Sequence, residues 1–441
     1  MKKVSKSIKM ELVHPYSAGI DVSKDEHVVA INPELSKAPI QSFGSFTTDL
    51  KALSSWLKSF GIQTVAMEST GIYWLTLYLH LQSEGFDVYL VNAKHVKNVK
   101  GKKTDELDAQ WIQRLHSCGL LENSFQPDLE MRELRYYMRM RKDLLEVQKQ
   151  HTSHMQKALE QMNLKLGTVL TDITGKSGKK IIQAIIDGER DAKALASLAD
   201  RKVKASKEKI QLALQGQWHE MYLFELEQSY SFYCIYEEKR QQLDDKIQEW
   251  LIKAAPIEAN QSSGSNCKKS KNGFHFDVAS HLKSLLEIDI LKVWGISEIN
   301  AMEIISEIGI DMSKWPSAKH FSSWLGLAPN TKISGGKVLS SRLPKKKNRA
   351  GQSFRMAAYA LQRSDHYLGD FYRRKRSKLG PKGAITATAR KLATYVYKTL
   401  SEKIEFSAEL LNELNQVNEQ RKLKGLAKKA NKLGFILQPV G

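Results

Sequence analysis

Apolar and polar residues follow two different rhythms along this chain. From residue 16 to about residue 125, short runs rich in β-branched residues alternate with longer stretches whose apolar positions recur every three to four residues. The first pattern is typical of strands and the second of amphipathic helices, so this region is predicted to be an α/β domain. The predicted strands lie in Ser17 to Ile31 (with a turn), Ile40 to Phe46, Gln63 to Glu68 and Asp87 to Asn92, and the predicted helices in Thr48 to Phe60, Ile72 to Ser83 and Thr104 to Leu121.

Beyond Leu129 the strand pattern disappears. Residues 130–159 and 224–251 have long helical periodicity, which predicts a helical, coiled-coil-like middle region. A polar stretch at 260–273 is typical of a linker, and the segment from Ile288 to Gly309 has the pattern helix, Gly295 turn, helix, as in a helix-hairpin-helix. The predicted divisions are 1–125 (α/β), 126–258 (helical coiled coil, dimerisation), 259–280 (linker), 281–400 (mainly α) and 401–441 (basic helical tail).

The charge of the chain indicates the kind of partner that it binds. The chain has 441 residues, 68 Lys and Arg against 48 Asp and Glu, a formal net charge of +20 and a pI near 9.5, which favours a polyanionic partner. No apolar run approaches the roughly 18 residues of a membrane span, and the first residues contain no apolar signal core. Its three cysteines are far apart. We therefore expect a cytoplasmic protein without disulfides, structural zinc or a membrane partner.

Four acidic residues stand at positions where they can meet. Asp21 and Glu68 lie at the ends of predicted strands, and acids at strand ends can converge across a sheet. Asp105 and Asp108 are three residues apart on a predicted helix with Thr104 as its N-cap, so they share one face. Three or four clustered carboxylates repel one another unless a cation lies between them.

Magnesium suits such a cluster because Mg²⁺ takes oxygen ligands and keeps positions for water and phosphate. Two such ions can hold the attacking and leaving oxygens of a phosphoryl displacement. The sequence therefore predicts a divalent-metal site for phosphodiester chemistry. The alternative is that each acid is a solvated loop residue or a helix cap, as single acids often are.

A second candidate site surrounds Ser334, which is followed by two glycines. A backbone of this kind can approach a phosphate closely, and the hydroxyl is a candidate nucleophile, although most Ser-Gly-Gly segments are only turns. Residues 332–391 contain 17 Lys and Arg against two Asp. The predicted nucleic-acid contacts are the cations before Asp105 and those around and after Ser334: Lys94, Lys97, Lys100, Lys102, Lys103, Lys332, Lys337, Arg342, Lys345, Lys346, Lys347, Arg349, Arg373, Arg374 and Arg376.

Several segments together resemble the insertion-sequence-110 family of transposases, which are related to Piv-type DNA invertases. They are Gly19-Ile-Asp21-Val-Ser-Lys, Ala66-Met-Glu68-Ser-Thr-Gly, Lys103-Thr-Asp105-Glu-Leu-Asp108, Trp324-Leu-Gly-Leu-Ala-Pro and Ser334-Gly-Gly-Lys337. The helix-hairpin-helix segment departs from the family pattern, since Trp294-Gly-Ile-Ser297 stands where the family favours Pro-Gly-Ile-Gly.

The resemblance implies a RuvC-like domain of RNase H fold, in which Asp21, Glu68, Asp105 and Asp108 bind Mg²⁺ in two positions that Mn²⁺ can also occupy. It further implies a C-terminal transposase domain whose serine, here Ser334, attacks DNA. The implied partners are double-stranded DNA of the element ends and target, a structured noncoding bridge RNA that selects them, and further copies of the chain. Dimers or tetramers would form through the helical region, with the acids of one protomer completing a site with the serine of another. The implied setting is the prokaryotic cytoplasm, at the nucleoid.

Two other functions are compatible with the same residues. A hydrolytic RuvC-like Holliday-junction nuclease would need the acids but not the serine. A non-catalytic nucleic-acid-binding protein would explain the positive charge and the helical region, with the four acids unrelated to one another.

Overall fold

The computed structural model describes residues 12–69, 71–92, 104–256, 271–344, 348–406 and 408–436. They form two compact units, one ending at Gln126 and the other beginning at Pro127. The finer division into five segments stays a prediction. Within the described ranges, no helix is both long enough and apolar enough to cross a membrane.

The first unit is built on a five-stranded mixed sheet of β1 Ser17–Val22, β2 Glu26–Ile31, β3 Ile40–Gly44, β4 Thr64–Glu68 and β5 Asp87–Val91. The strand order is β3-β2-β1-β4-β5. β1 pairs antiparallel with β2, and β2 antiparallel with β3, whereas β1 and β4, and β4 and β5, are parallel. This sheet confirms the predicted α/β domain, and its order and directions are compatible with an RNase H-like fold.

Helices cover both faces of the sheet. They are α1 Thr47–Ser59, α2 Trp74–Ser83 and α3 Asp105–Ser117. On one face, α1 and α2 pack large aliphatic side chains such as Leu53 and Leu77 against Ile20 and Met67. On the opposite face, α3 packs against small residues, including Ala30 and Ala66. The two faces therefore differ in how closely a helix can approach the strands.

Two long helices organise the start of the second unit. They are α4 Leu129–Gln161 and α9 Glu220–Ala254, and they pack against each other. Shorter helices connect them, namely α5 Leu166–Val169, α6 Lys176–Ile186, α7 Ala192–Ser197 and α8 Lys207–Ala213. Their apolar faces bury Met155, Ile182 and Leu226 in a common core. The helical character predicted for the middle region is thus confirmed.

A buried ion pair ties α4 to α9. The Arg141 guanidinium donates to both carboxylate oxygens of Asp244, at 2.6 and 3.3 Å, and to the backbone carbonyls of Asn272 and Gly273, each at 3.0 Å. It also lies 4.0 Å from the centre of the Phe274 ring. These contacts satisfy the charge in the interior and hold residues 272–274, part of the segment predicted to be a linker, against the long helices.

The rest of the second unit is mainly helical, as predicted, with one small hairpin of β6 Lys332–Ser334 and β7 Lys337–Ser340. The helices are α10 Val278–Leu286, α11 Glu298–Ile308, α12 Ala318–Trp324, α13 Arg349–Ala360, α14 Tyr367–Glu402 and α15 Ala408–Lys432. The helix-hairpin-helix segment has its second helix in α11, but a single 3₁₀ turn, Ile290–Lys292, stands where the first helix was expected. Asp289 caps that turn by accepting from the Leu291 amide at 3.0 Å, and the chain then turns at Gly295.

Candidate active site

Asp21 and Glu68 lie side by side at the ends of two parallel strands. The register of β1 and β4 pairs Ile20 with Met67, so the next residue on each strand is an acid. Residues in register on neighbouring strands point to the same face of the sheet. Both acids are half-buried, and their neighbours decide which face they share.

That face is the one covered by α3. Side chains alternate along a strand, so Asp21 shares a face with Gly19, and Glu68 shares one with Ala66 and Thr64. Ala66 packs with Ile112 of α3, and the Thr64 hydroxyl lies 2.9 Å from Nε2 of His116 at the other end of that helix. The two acids therefore point toward the α3 side of the sheet.

The direction of α3 brings its own acids to the same edge. Its C-terminal His116 contacts Thr64 at the start of β4, so the helix runs antiparallel to β1 and β4. Its N-terminal turn, which carries Asp105 and Asp108, consequently lies beside the strand ends that carry Asp21 and Glu68. The four acids predicted from the sequence thus share one edge of the first unit.

Gly19 permits this arrangement by letting α3 touch the strand. A Cβ atom on Gly19 would stand 2.2 Å from the Gln113 amide nitrogen and 2.5 Å from the Ala109 carbonyl oxygen. Asp21 lies about 7 Å further along the strand, and Asp108 and Asp105 lie about 4.5 and 9 Å along the helix axis from the middle of that contact. Measured from this contact toward the acidic edge of the sheet, Asp21 therefore lies between Asp108 and Asp105.

The first turn of α3 is stabilised independently of any ligand. The Thr104 side chain accepts a hydrogen bond from the Leu107 amide at 3.3 Å, as the sequence predicted for an N-cap. Asp105, Glu106 and Asp108 all lie in this turn, where the positive end of the helix dipole favours negative charge. Part of this acidic character is therefore explained by the helix alone.

The donor chemistry of the four acids fits a hard divalent cation, because all four offer carboxylate oxygens. Among the residues that the structure describes, however, no three His, Cys, Asp or Glu side chains are grouped closely enough to hold a metal ion. The strand ends and the helix turn share an edge without their carboxylates forming a closed ligand set. A metal site made of Asp21, Glu68, Asp105 and Asp108 stays a prediction.

His116 holds the C-terminal end of α3, a role that no sequence pattern indicated. It is buried and stacks on His14 with ring centres 4.9 Å apart. Burial, helped by the nearby His14, lowers the pKa of His116 to about 4. The imidazole is therefore neutral at physiological pH and acts as a neutral anchor between α3 and β4.

Ser334 lies in a very different setting, at the tip of the hairpin of the second unit. It pairs with Lys337 across a two-residue turn formed by Gly335 and Gly336, whose φ angles are 54° and 74°. Positive φ at both turn positions is typical of a type I′ turn and explains why both residues are glycine. Both strands of the hairpin are almost entirely exposed, so the hydroxyl is presented well clear of the core.

Cations flank this serine on both sides. Lys332, Lys337 and Arg342 are exposed, and the described part of the chain contains no ion pair to any of the three. The backbone carbonyl of Arg342 accepts from the Asn330 amide at 3.0 Å and so closes the base of the hairpin.

The remaining predicted nucleic-acid contacts have mixed surroundings. Arg373 donates to Asp370 at 2.5 Å and to the Ser364 carbonyl at 2.9 Å, so it has a structural role. Arg349, Arg374 and Arg376 are exposed. The other predicted contacts lie outside the described residues: Lys94, Lys97, Lys100, Lys102, Lys103, Lys345, Lys346 and Lys347.

Comparison with known families matches two segments of the chain. Residues 18–164 match the model of a DEDD-type domain described as a transposase, and residues 289–373 match the model described as transposase of the IS116/IS110/IS902 family. The first segment contains the four acids and the second contains Ser334. The DEDD type indicates a divalent-metal requirement. A search of curated proteins found no match. This chain belongs to the IS110 family of transposases, which are DNA-recombining enzymes.

Proposed function

We propose that this transposase cuts and rejoins DNA with Ser334 as its nucleophile and with Mg²⁺ held by Asp21, Glu68, Asp105 and Asp108. The observation that supports the metal assignment best is the placement of all four acids at one edge of the first unit, fixed by the contact of α3 with Gly19. When bound there, Mg²⁺ or Mn²⁺ would supply Lewis-acid polarisation of the scissile phosphate.

The serine supplies the covalent chemistry in this proposal. The Ser334 oxygen forms an ester bond with the phosphorus as the bond from phosphorus to one sugar oxygen breaks, and that oxygen leaves as a hydroxyl. The phosphoserine ester conserves the bond energy for the rejoining step. Lys332 and Lys337, which flank the serine on the hairpin, are placed to neutralise charge on the phosphate.

A covalent protein–DNA adduct tests the nucleophile. Incubated with a duplex carrying an element end, the wild-type protein should form an adduct that survives denaturation, and Ser334→Ala should form none. Ser340→Ala, on the same hairpin, is the matched control and should form the adduct normally. Strand cleavage by the wild type with no adduct would favour the hydrolytic junction nuclease instead.

Three acidic residues on one helical turn test the metal assignment, two as proposed ligands and one as their control. Asp105→Asn and Asp108→Asn should each lower cleavage at least 100-fold in Mg²⁺. Glu106→Gln, in the same turn, should stay within about threefold of wild type. Equal losses in all three variants would show that the turn acts only through its charge and would contradict the ligand assignment.

We also propose that a structured noncoding RNA selects the DNA. The support is a net charge of +20 together with exposed basic stretches on α14 and α15, which suit a protein that grips backbones while base pairing reads the sequence. Sequencing the RNA that copurifies with the protein should return one dominant transcript. A mixture in proportion to cellular abundance would contradict RNA guidance.

The long helices are the proposed oligomer contact, with a second copy of this chain as partner. Phe224 and Ile235 are exposed on α9, and their spacing of eleven residues puts them on the same side of the helix. Phe224→Glu with Ile235→Glu should reduce the molar mass in light scattering to that of one chain. An unchanged mass would exclude this face as the contact.

A further inference from the structure

A groove of about 520 Å³ lies in the second unit, between the two halves of α14 and the chain that leaves the Ser334 hairpin. We propose that it binds an unstacked nucleotide of a single-stranded nucleic-acid segment, a few positions along the strand from the phosphate that Ser334 attacks. This inference rests on the proposed function, since it assigns a strand-holding site to the same reaction.

A kink in α14 creates the groove. Gly380 has φ 70° and ψ 175°, outside the helical region, and Pro381 follows it. Before the kink, Phe371, Lys375 and Leu379 recur every four residues along one face. After the kink, Arg390 also lines the groove, so both halves of the helix contribute to it.

The lining combines apolar walls with positive charge. Leu327, Leu343 and Phe371 supply apolar surface, and Lys375, Arg390 and Lys391 supply cations, whereas none of the described residues that line the groove is acidic. The Lys375 ammonium is 5.5 Å from the centre of the Phe371 ring. Across the described residues, none of these three cations is ion-paired with a carboxylate.

The acid next to Phe371 in the sequence is already ion-paired. Asp370, one residue before Phe371, pairs with Arg373 at 2.5 Å and with Lys422 of α15 at 2.6 Å. The groove therefore selects an anion that also has a flat apolar part. A nucleotide has both, because its phosphate can pair with the cations while its base stacks on Phe371. The volume is within the roughly 300–1,000 Å³ of typical ligand pockets.

The position of the groove suits a strand that reaches Ser334. Ser341 and Leu343 line the groove, and Ser334 pairs with Lys337, four residues before Ser341. Four extended residues span about 13 Å, which corresponds to about four nucleotides of a stacked strand. A strand attacked at Ser334 would therefore place a base a few positions from the scissile phosphate in the groove.

The test measures binding of fluorescein-labelled 12-nucleotide strands to the full-length protein by anisotropy, with DNA and RNA of one sequence and a DNA duplex compared. Phe371→Leu should weaken single-strand binding about tenfold, the loss of one stacked base. Lys398→Gln, on the exposed side of the same helix, is the control and should leave binding unchanged. Thermal melting verifies that each variant is folded.

Strands with a single abasic position test whether Phe371 contacts a base of the bound strand. One abasic position in the strand should weaken wild-type binding about tenfold and should have no further effect in Phe371→Leu, because the same contact is already lost. Whichever of DNA and RNA shows this coupling is the natural ligand. Additive losses at every position, or no loss in Phe371→Leu, would overturn the proposal.

Charge provides a second readout that does not depend on Phe371. Arg390→Gln with Lys391→Gln should flatten the dependence of log K on log salt by about 1.4, the value for two lost phosphate contacts on a single strand. An unchanged slope would contradict phosphate binding in the groove. A double variant with a lower oligomeric mass and unchanged strand affinity would assign the groove to a second protein copy instead. Ser334→Ala should retain strand binding, so failure of the nucleophile assignment remains distinguishable from failure of the groove.

Discussion

The two candidate sites are held in opposite ways. The acids at the edge of the sheet depend on buried packing. Two of them lie on α3, which is held beside the strands by its contact with Gly19 and by the contact of His116 with Thr64. Ser334 depends on almost no packing, since its hairpin is exposed and is shaped by two glycines in its own turn. Core substitutions should therefore damage the first site, and only local substitutions should damage the second.

The largest effect is expected from Gly19→Val. The new side chain would collide with the α3 backbone, which cannot move aside as a flexible side chain can. Overpacking of this kind costs about 1–3 kcal/mol and occasionally more, and the displaced helix would take Asp105 and Asp108 with it. Urea unfolding should show the loss, and cleavage should be abolished.

Gly167→Ala is the control for that substitution, because a Cβ atom there meets no heavy atom within 4 Å. It should leave the unfolding midpoint almost unchanged. A Gly19→Val protein of normal stability and activity would show that α3 is not held at the strand and would remove the basis for placing its acids beside Asp21.

A second effect is a pH dependence carried by His116. Its pKa is about 4 in the folded protein against an ordinary 6.5, so the unfolded chain takes up a proton first as pH falls. The stability contributed by the neutral imidazole is complete above about pH 6.5 and is lost as pH falls toward 4. Melting curves from pH 7 to 4.5 should show a smaller decline in His116→Gln than in wild type.

His320→Gln provides the comparison for that measurement, since His320 is exposed in the second unit. Its melting curves should follow those of wild type at every pH. If His116→Gln also followed wild type, the imidazole would not be a buried anchor of α3.

A smaller effect is expected at the hairpin turn. Gly336 has φ 74° with open space around it, so Gly336→Ala meets no clash but is forced into the left-handed region at a cost of about 1 kcal/mol. The hairpin is exposed, so global unfolding should be unchanged while the rate of adduct formation falls. Equal damage to melting and to adduct formation would mean that the hairpin is part of the core.

Ser334→Ala should have the smallest effect on stability. An exposed side chain outside any packing usually contributes within about 0.5 kcal/mol, so the unfolding midpoint should match wild type although adduct formation is lost. A clear drop in stability would indicate that the hydroxyl has a structural role.

The sequence predicted most of the elements because their signals are local. The short apolar runs that lead to Asp21 and Glu68 and the Thr104 cap of α3 were readable from neighbouring residues. Long-range contacts were not, because no local pattern states which strand a helix crosses. Gly19 was noted within a motif, but its close contact with Gln113 depends on the fold, as do the bond between His116 and Thr64 and the burial of Arg141 against Asp244.

The same limit applies to the second unit. Ser334-Gly-Gly predicted a turn that could expose a hydroxyl, and the structure adds two flanking strands. The Gly380–Pro381 pair is a visible helix breaker, yet nothing local indicates that residues from both halves of α14, such as Lys375 and Arg390, line one groove.

Covalent linkage of Ser334 to DNA is best examined by mass spectrometry of the trapped adduct. Trypsin cuts after Lys332 and Lys337, so the linked residue would lie in the five-residue peptide Ile333–Lys337. After nuclease digestion, a nucleotide remnant should remain on Ser334 in that peptide. A remnant on any other residue, or cleaved DNA without a remnant on the protein, would contradict it.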